Sequence, residues 1–239
     1  MNAVYESTTL IVPSLADHNG LLSIPGAFRL FQDIASAHSE ELGTGYGDLL
    51  KRDLFWLTVK TKLLFRERPK MGQSITLRSW PEAPQKLRCC RSYELECGGE
   101  VLIAGRSEWA ILNFVQQKLY SPQNIYPEEL EFRPDPAVTE PFARIPEQFS
   151  EFEPYGSYIV PSTDIDIGNH MNNVAYVTAL AGSFSTEEWD RLPKHTVDIL
   201  FRASCYEGDR LAFSRKETDR GVQVRLARGD ETVMLAALA

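Results

Sequence analysis

Apolar residues recur at helical spacing in IPGAFRLFQDIASAHSEELG, at Ile24, Ala27, Phe28, Leu30, Phe31, Ile34, Ala35 and Leu42. That spacing predicts an amphipathic helix. Ser23 can cap it, Pro25 suits its first turn, and Gly43 suits its end. A short second helical stretch is predicted near DLLKR. The pattern then changes. FWLTVKTKLLF, SITLRSW, KLRCCRSYELEC and VLIAGRSEWAILNF read as strands, the first alternating in part, with Gly or Pro in the turns PKMGQ and CGGE. YESTTLIV, ahead of the helix, reads as one more strand.

The same order returns later in the chain. SYIVPSTDID leads into a helix from about Asn172, NNVAYVTALAGSF, followed by the strand-like HTVDILFRASC, RLAFSRKET, VQVRLARG and TVMLAALA. Asp17 and Asp166 both stand just before a helix, 149 positions apart. Further on, Phe65, Arg66, Gly72 and Ile75 match Phe201, Arg202, Gly208 and Leu211 at an offset of 136. The difference places an insertion in the first half, around GTGYGDLLKRD. Two ordered matches within one strand–helix–strands pattern point to an internal duplication. Between the halves, prolines at 122, 127, 134, 136, 141, 146 and 154 exclude a long helix and disfavour a central strand. The expected organisation is therefore a first repeat over 1–120, a proline-rich linker running over the surface at 121–154, and a second repeat over 155–239. One helix followed by antiparallel strands gives an α+β unit. Two such units can pair sheet edges and so protect them.

Composition narrows the function. At 43% hydrophobic and 24% charged, the chain reads as globular rather than disordered. Its formal net charge of -8 lacks the basic footprint of a nucleic-acid binder. No apolar run approaches the length of a membrane span, and MNAVYESTTLIVPS lacks the basic start and apolar stretch of a secretory signal. Cys89, Cys90, Cys97 and Cys205 form no C-x-x-C pair. Reduced thiols in a cytoplasmic protein account for them. No residue grouping suits a metal, and GTGYGD lacks the strand-to-helix context of a phosphate loop. No cofactor is expected. His18, His38 and His195 read as surface or structural histidines.

Chemistry concentrates in PSTDIDIGNHMNNVAY, from Pro161 to Tyr176, where two acids, a histidine and three asparagines precede an apolar helix. Asparagine caps in a polar loop would explain part of this density. A helix amino terminus also offers unpaired N–H groups and a positive dipole end. Such groups can stabilise the oxyanion formed when a thioester carbonyl is attacked. A carboxylate and an imidazole beside that point can orient water and move protons.

The segment resembles the signature of plant and bacterial acyl-acyl-carrier-protein thioesterases, roughly D-x-D-x-N-x-H-V-N-N-x-x-Y. Asp164, Asp166, His170, Asn172, Asn173 and Tyr176 match in type and spacing. LLSIPGAFRLFQDIASAHSEELGTGYGDLL, FWLTVKTKLLFRERPKMGQSITLRSWP and SEWAILNF extend the resemblance over most of the chain. It implies a double hotdog, two tandem repeats of a long helix wrapped by an antiparallel sheet. It also implies hydrolysis of fatty acyl-acyl-carrier-protein to free fatty acid, with acyl carrier protein as the partner. The family's Asp falls on Asp166 and its His on His170. Its Asn position is Gly168 here, with Asn169 next to it. Its later Y-x-x-E-C segment reads FRASC here, so Ser204 stands at the Glu and Cys205 at the Cys. Single-hotdog acyl-CoA thioesterases, with patterns like D-x-D-x-x-G-H-V-N-N, also resemble this loop and again place the acid on Asp166.

The resulting expectation has Asp166 activating water and His170 orienting substrate or shuttling a proton. Asn169 would supply an amide, and backbone N–H groups near Asn172 and Asn173 would be oxyanion donors. Cys205 is either a nucleophile with a lowered thiol pKa or a buried structural cysteine. Asp17 occupies the repeat-equivalent of Asp166 but is followed by Gly20 and Leu21 rather than Asn and His. The first repeat is thus expected to bind the acyl chain, with Phe28 and Phe31 lining its path or simply packing its core. Lys60, Lys62, Arg66, Arg68, Lys70, Lys86, Arg88 and Arg91 form either a solvated sheet face or a docking patch for an acidic carrier. An acyl-CoA thioesterase and a non-catalytic acyl-binding protein are the other two readings. A homodimer is compatible with all three.

Overall fold

The computed structural model describes residues 3–146 and 149–239. Met1 and Asn2 of the opening segment, and Glu147 and Gln148 of the connector, lie outside the described residues. The chain divides into two compact units, Met1–Glu140 and Pro141–Ala239.

The first unit runs β1 (Tyr5–Leu10), α1 (Ile24–Glu41), α2 (Tyr46–Leu50), β2 (Leu54–Phe65), β3 (Ser74–Pro81), β4 (Cys89–Cys97), β5 (Glu100–Asn113) and β6 (Lys118–Tyr120). Its strands are antiparallel in the order β2-β5-β4-β3-β1, with β6 added on β5. α1 begins where Ser23 accepts the Gly26 N–H at 2.9 Å and ends before Gly43, whose φ of +67° favours glycine. It buries Ile24, Ala27, Phe28, Leu30, Phe31, Ile34 and Ala35, the stripe that the periodicity predicts. Gly105 on β5 lets the helix approach the sheet. A Cβ there would stand 2.7 Å from Leu63 and 3.2 Å from the Phe31 ring.

The second unit runs β7 (Glu153–Ile159), α3 (Asn173–Gly182), α4 (Thr186–Arg191), β8 (Thr196–Phe201), β9 (Arg210–Thr218), β10 (Gly221–Arg228) and β11 (Glu231–Leu238). Its antiparallel order is β8-β11-β10-β9-β7, the first unit's order over again. The duplication extends to single hydrogen bonds. Gly72 N–H donates to Ile11 O at 2.8 Å, and Gly208 N–H donates to Val160 O at 2.9 Å. Both glycines have positive φ, +85° and +83°.

The connector departs from a simple surface run. Ile125, Leu130 and Val138 are buried in the first unit. The Arg133 guanidinium lies 4.3 Å from the Trp80 ring centroid, and Trp80 Nε1–H donates to Asp135 O at 3.2 Å. In the second unit Ile145 and Phe152 pack with Leu200 and Leu235. Pro154 lies within β7, at a register irregularity between Pro154 and Gly156, where a strand tolerates proline. α4 and β6 were not expected. α4 carries a capping box from Ser185 to Glu188 that the sequence contains in plain form.

Candidate active site

The loop ahead of α3 is built by its own backbone. Ile165 bridges Met171. Asp166 N–H donates to His170 O at 3.0 Å, and Asn169 N–H donates to Asp166 O at 2.9 Å. Asp166 Oδ1 accepts the Gly168 N–H at 2.8 Å, an Asx turn. Asn169 sits at φ +60°, a left-handed conformation that asparagine tolerates better than most residues. The first unit makes the same turn. Asp17 N–H donates to Leu21 O at 2.8 Å, Gly20 N–H to Asp17 O at 2.9 Å, and Asn19 N–H to Asp17 Oδ1 at 2.9 Å. Gly20, at φ +70°, stands where Asn169 stands. The turn itself therefore accounts for Asn169 through its backbone.

The repeats differ in what faces the carboxylate. In the first, Arg68 Nη1 is hydrogen-bonded to Asp17 Oδ2 and reaches Leu22 O at 3.4 Å. In the second, Ser204 occupies the position of Arg68, and His170 replaces Leu21. His170 Nδ1 lies 3.7 Å from Asp166 Oδ1, with the two side chains 23% and 24% exposed. That is ion-pair range for a protonated imidazole and longer than a hydrogen bond. Catalytic contacts of this length commonly tighten when substrate binds.

The neighbouring groups hold this pair in place. Tyr158 OH donates to Asp164 Oδ2 at 2.6 Å, and burial followed by this carboxylate pushes the phenol up to about 12. Asp164 is thereby a structural acceptor. Buried Tyr176 donates its hydroxyl to Ala203 O at 3.1 Å and accepts the Cys205 N–H at 2.9 Å. Met171 N–H donates to Cys205 O at 2.8 Å, as Leu22 N–H donates to Pro69 O at 2.8 Å in the first unit. Arg228 binds Ser204 O at 3.2 Å, Asp209 Oδ2 at 2.6 Å and Glu231 Oε2 at 2.6 Å.

Two expectations need correction. Asn172 N–H is not available as an oxyanion donor. It donates to Asp164 O at 2.8 Å, while the Asn172 side chain caps α3 by accepting the Val174 N–H at 2.8 Å. Asn173 is the first residue of α3. Cys205 is fully buried, and burial raises its thiol above the ordinary value despite the Tyr176 hydrogen bond. That is the opposite of what an activated nucleophile requires. Of the eight basic residues that read as a solvated sheet face or a docking patch, four are engaged within the first unit. Lys60 and Arg88 pair with Glu108 at 3.7 and 3.5 Å, and Arg68 pairs with Asp17. Arg91 is buried against His38 Nδ1 at 3.1 Å and Ser79 Oγ at 3.0 Å.

Phe28 and Phe31 are both buried, and Phe31 stacks on Tyr93 with centroids 5.0 Å apart. Among the described residues no three His, Cys, Asp or Glu side chains gather as a metal site, and no helix is long and apolar enough to cross a membrane. Sequence reasoning missed the Arg68–Asp17 pair. Its signal was present, because the 136-residue offset aligns Arg68 with Ser204.

In sequence, residues 2–129 match the Acyl-ACP thioesterase N-terminal domain and residues 150–234 match the Acyl-ACP thioesterase C-terminal domain. An acyl-[acyl-carrier-protein] hydrolase of Cuphea viscosissima is 26% identical over 223 residues, covering 86% of this chain and 54% of that protein. A palmitoyl-acyl carrier protein thioesterase of Arabidopsis thaliana is 24% identical over 77% of this chain and 48% of its own length. Both relatives are described as chloroplastic, and the chain spans about half the length of the curated relatives it matches. In structure, an acyl-ACP thioesterase of Bacteroides thetaiotaomicron superposes with a TM-score of 0.89 at 20% identity, covering 99% of this chain and 97% of that one. A 12:0-ACP thioesterase of Umbellularia californica gives 0.82 at 18% identity, covering 99% and 96%. The fold is thus the double hotdog, α+β in class.

Proposed function

The chain belongs to the acyl-ACP thioesterase family, and from that premise we propose that it hydrolyses fatty acyl-acyl-carrier-protein to free fatty acid and carrier protein. One observation carries the reading. The duplicated turn presents two carboxylates in the same backbone setting, and Asp17 is neutralised by Arg68 while Asp166 faces His170. The Arg68 guanidinium occupies an Asp17 oxygen that water would otherwise approach, whereas the imidazole beside Asp166 can exchange a proton with it.

In this mechanism Asp166 accepts a proton as water attacks the thioester carbonyl. His170 takes that proton from Asp166 and, as the tetrahedral intermediate collapses with cleavage of the C–S bond, delivers it to the departing thiolate, so that both residues end as they began. The positive end of α3, which starts three residues after His170, favours the developing oxyanion. Asn169 shapes the turn, Asn172 caps the helix, and Cys205 holds the segment beside Met171 through its carbonyl. Phe28 and Phe31 are assigned to the acyl-binding interior of the first unit, which takes the chain while the second unit reacts. The four cysteines are free thiols, which supports a reducing, cytoplasmic setting. A homodimer fits the reading and is checked by sedimentation.

The test is release of carrier thiol from acyl-ACP of several chain lengths, run beside the matching acyl-CoA. Preference for the carrier-bound substrate is expected. Turnover of acyl-CoA alone would reassign the substrate, and no turnover of either would remove the hydrolase reading.

A further inference from the structure

The geometry points to Tyr206, aided by Ile167, as the side chains that grip the substrate beside the acid–histidine pair. This rests on the thioesterase reading above. The segment between β8 and β9 is irregular, yet its backbone is held almost residue by residue. Tyr176 fixes Ala203 O and Cys205 N–H, Arg228 fixes Ser204 O, and Met171 fixes Cys205 O. Tyr206 N–H donates to Asp209 Oδ2 at 2.9 Å, and its carbonyl accepts the Asp209 N–H at 3.1 Å. On this fixed turn the Tyr206 side chain projects outward, with the residue 53% exposed.

Its position follows from the duplication. In the first unit Leu21 bridges Lys70 directly. Their equivalents are His170 and Tyr206, and the adjoining Met171–Cys205 bond reproduces Leu22–Pro69 at the same 2.8 Å. The second unit keeps the Met171–Cys205 bond without the neighbouring bridge; Met171 and Cys205 are both buried, and alternation of side chains turns the adjoining His170 and Tyr206 away from that core. Ile167, at the tip of the Asp166 turn, is 70% exposed. The first unit has Lys70 and His18 at these two places. The first unit's exposed apolar residue on this turn, Met71, stands one position further along, at the place of Glu207.

An exposed aromatic on a preorganised backbone loses little entropy when it is covered. A thioester substrate supplies what would cover it, a methylene-rich segment on either side of the carbonyl and sulfur. The ring face takes such a segment, and Ile167 flanks it from the turn.

The experiment compares Tyr206→Ala, Tyr206→Phe, Ile167→Ala and, as a control, Ile159→Ala, a residue 54% exposed on β7. Each is assayed with acyl-carrier-protein and with the same acyl group on a short thiol, N-acetylcysteamine. Loss of one aromatic contact should raise KM about tenfold in Tyr206→Ala, with a smaller change in kcat, and Tyr206→Phe should restore it. Ile167→Ala should move KM the same way, and Ile159→Ala should not. If the KM effect persists on the short thiol, the ring grips the acyl group or the two methylenes next to sulfur that the short thiol keeps; if it vanishes there, the ring grips the carrier arm beyond them. An active wild type whose KM is unchanged by Tyr206→Ala overturns the inference. An inactive wild type instead removes the thioesterase reading beneath it.

Discussion

Ser204→Arg transplants the first repeat's inhibitory contact into the second. Position 204 matches Arg68, and the bond one residue later, Cys205 O to Met171 N–H, matches Pro69 O to Leu22 N–H at 2.8 Å in both units. An arginine at 204 therefore starts from the same backbone position relative to Asp166 that Arg68 has relative to Asp17. A hydrogen bond to a charged group is worth about 1.5–3 kcal/mol. The Asp166 side chain is 24% exposed against 11% for Asp17, so solvent should hold the new pair to the lower half of that range. A carboxylate stabilised by about 1.5–2 kcal/mol becomes a weaker base by the same amount, which lowers kcat/KM roughly 10–30-fold. The assay is steady-state release of carrier thiol, with Ser204→Ala as the control for losing the hydroxyl and thermal melting to confirm folding. A folded Ser204→Arg enzyme with wild-type kcat/KM would refute the reasoning that an unneutralised acid distinguishes the two repeats.

Three further outcomes follow from the same contacts. Arg68→Met leaves the mostly buried Asp17 carboxylate without its cation and should cost about 2–4 kcal/mol in urea unfolding, with much of it recovered in the Arg68→Met/Asp17→Asn double variant; additive losses would contradict the pairing. Cys205→Ala should keep kcat/KM within about fivefold, because burial holds the thiol protonated, at a stability cost of about 1–2 kcal/mol; a hundredfold loss would restore the nucleophile. Burial acts to raise the Asp209 carboxyl, but the Tyr206 N–H and Arg228 outweigh it and lower it below the ordinary 3.8. Its stabilising contribution is therefore complete above that value and lost as pH falls through the lower folded value, so acid unfolding curves of Asp209→Asn should be flatter below about pH 4 than those of wild type.

The duplication was legible in the sequence because its two offsets recur in the hydrogen bonds that build the turns. The helix limits at Ser23 and Gly43 were legible for the same reason, since capping and left-handed backbone demand particular residue types. Asn169 shows the limit of such reading. As a type it resembles a catalytic amide, and its left-handed φ emerges only from the folded turn, although Gly20 at the matched position was a hint. The connector's prolines announced an extended chain but could not reveal that Ile125, Leu130 and Ile145 would be buried. The Arg68–Asp17 pair lies across 51 residues of chain, and only alignment of the two repeats makes its loss at Ser204 visible.

The most direct test of the account is turnover of acyl-acyl-carrier-protein by Asp166→Asn beside Asp17→Asn. The substitution at Asp166 should lower kcat by at least about a hundredfold, as expected for loss of a general base, while the folded Asp17→Asn protein remains active. Wild-type turnover by a folded Asp166→Asn protein would contradict it.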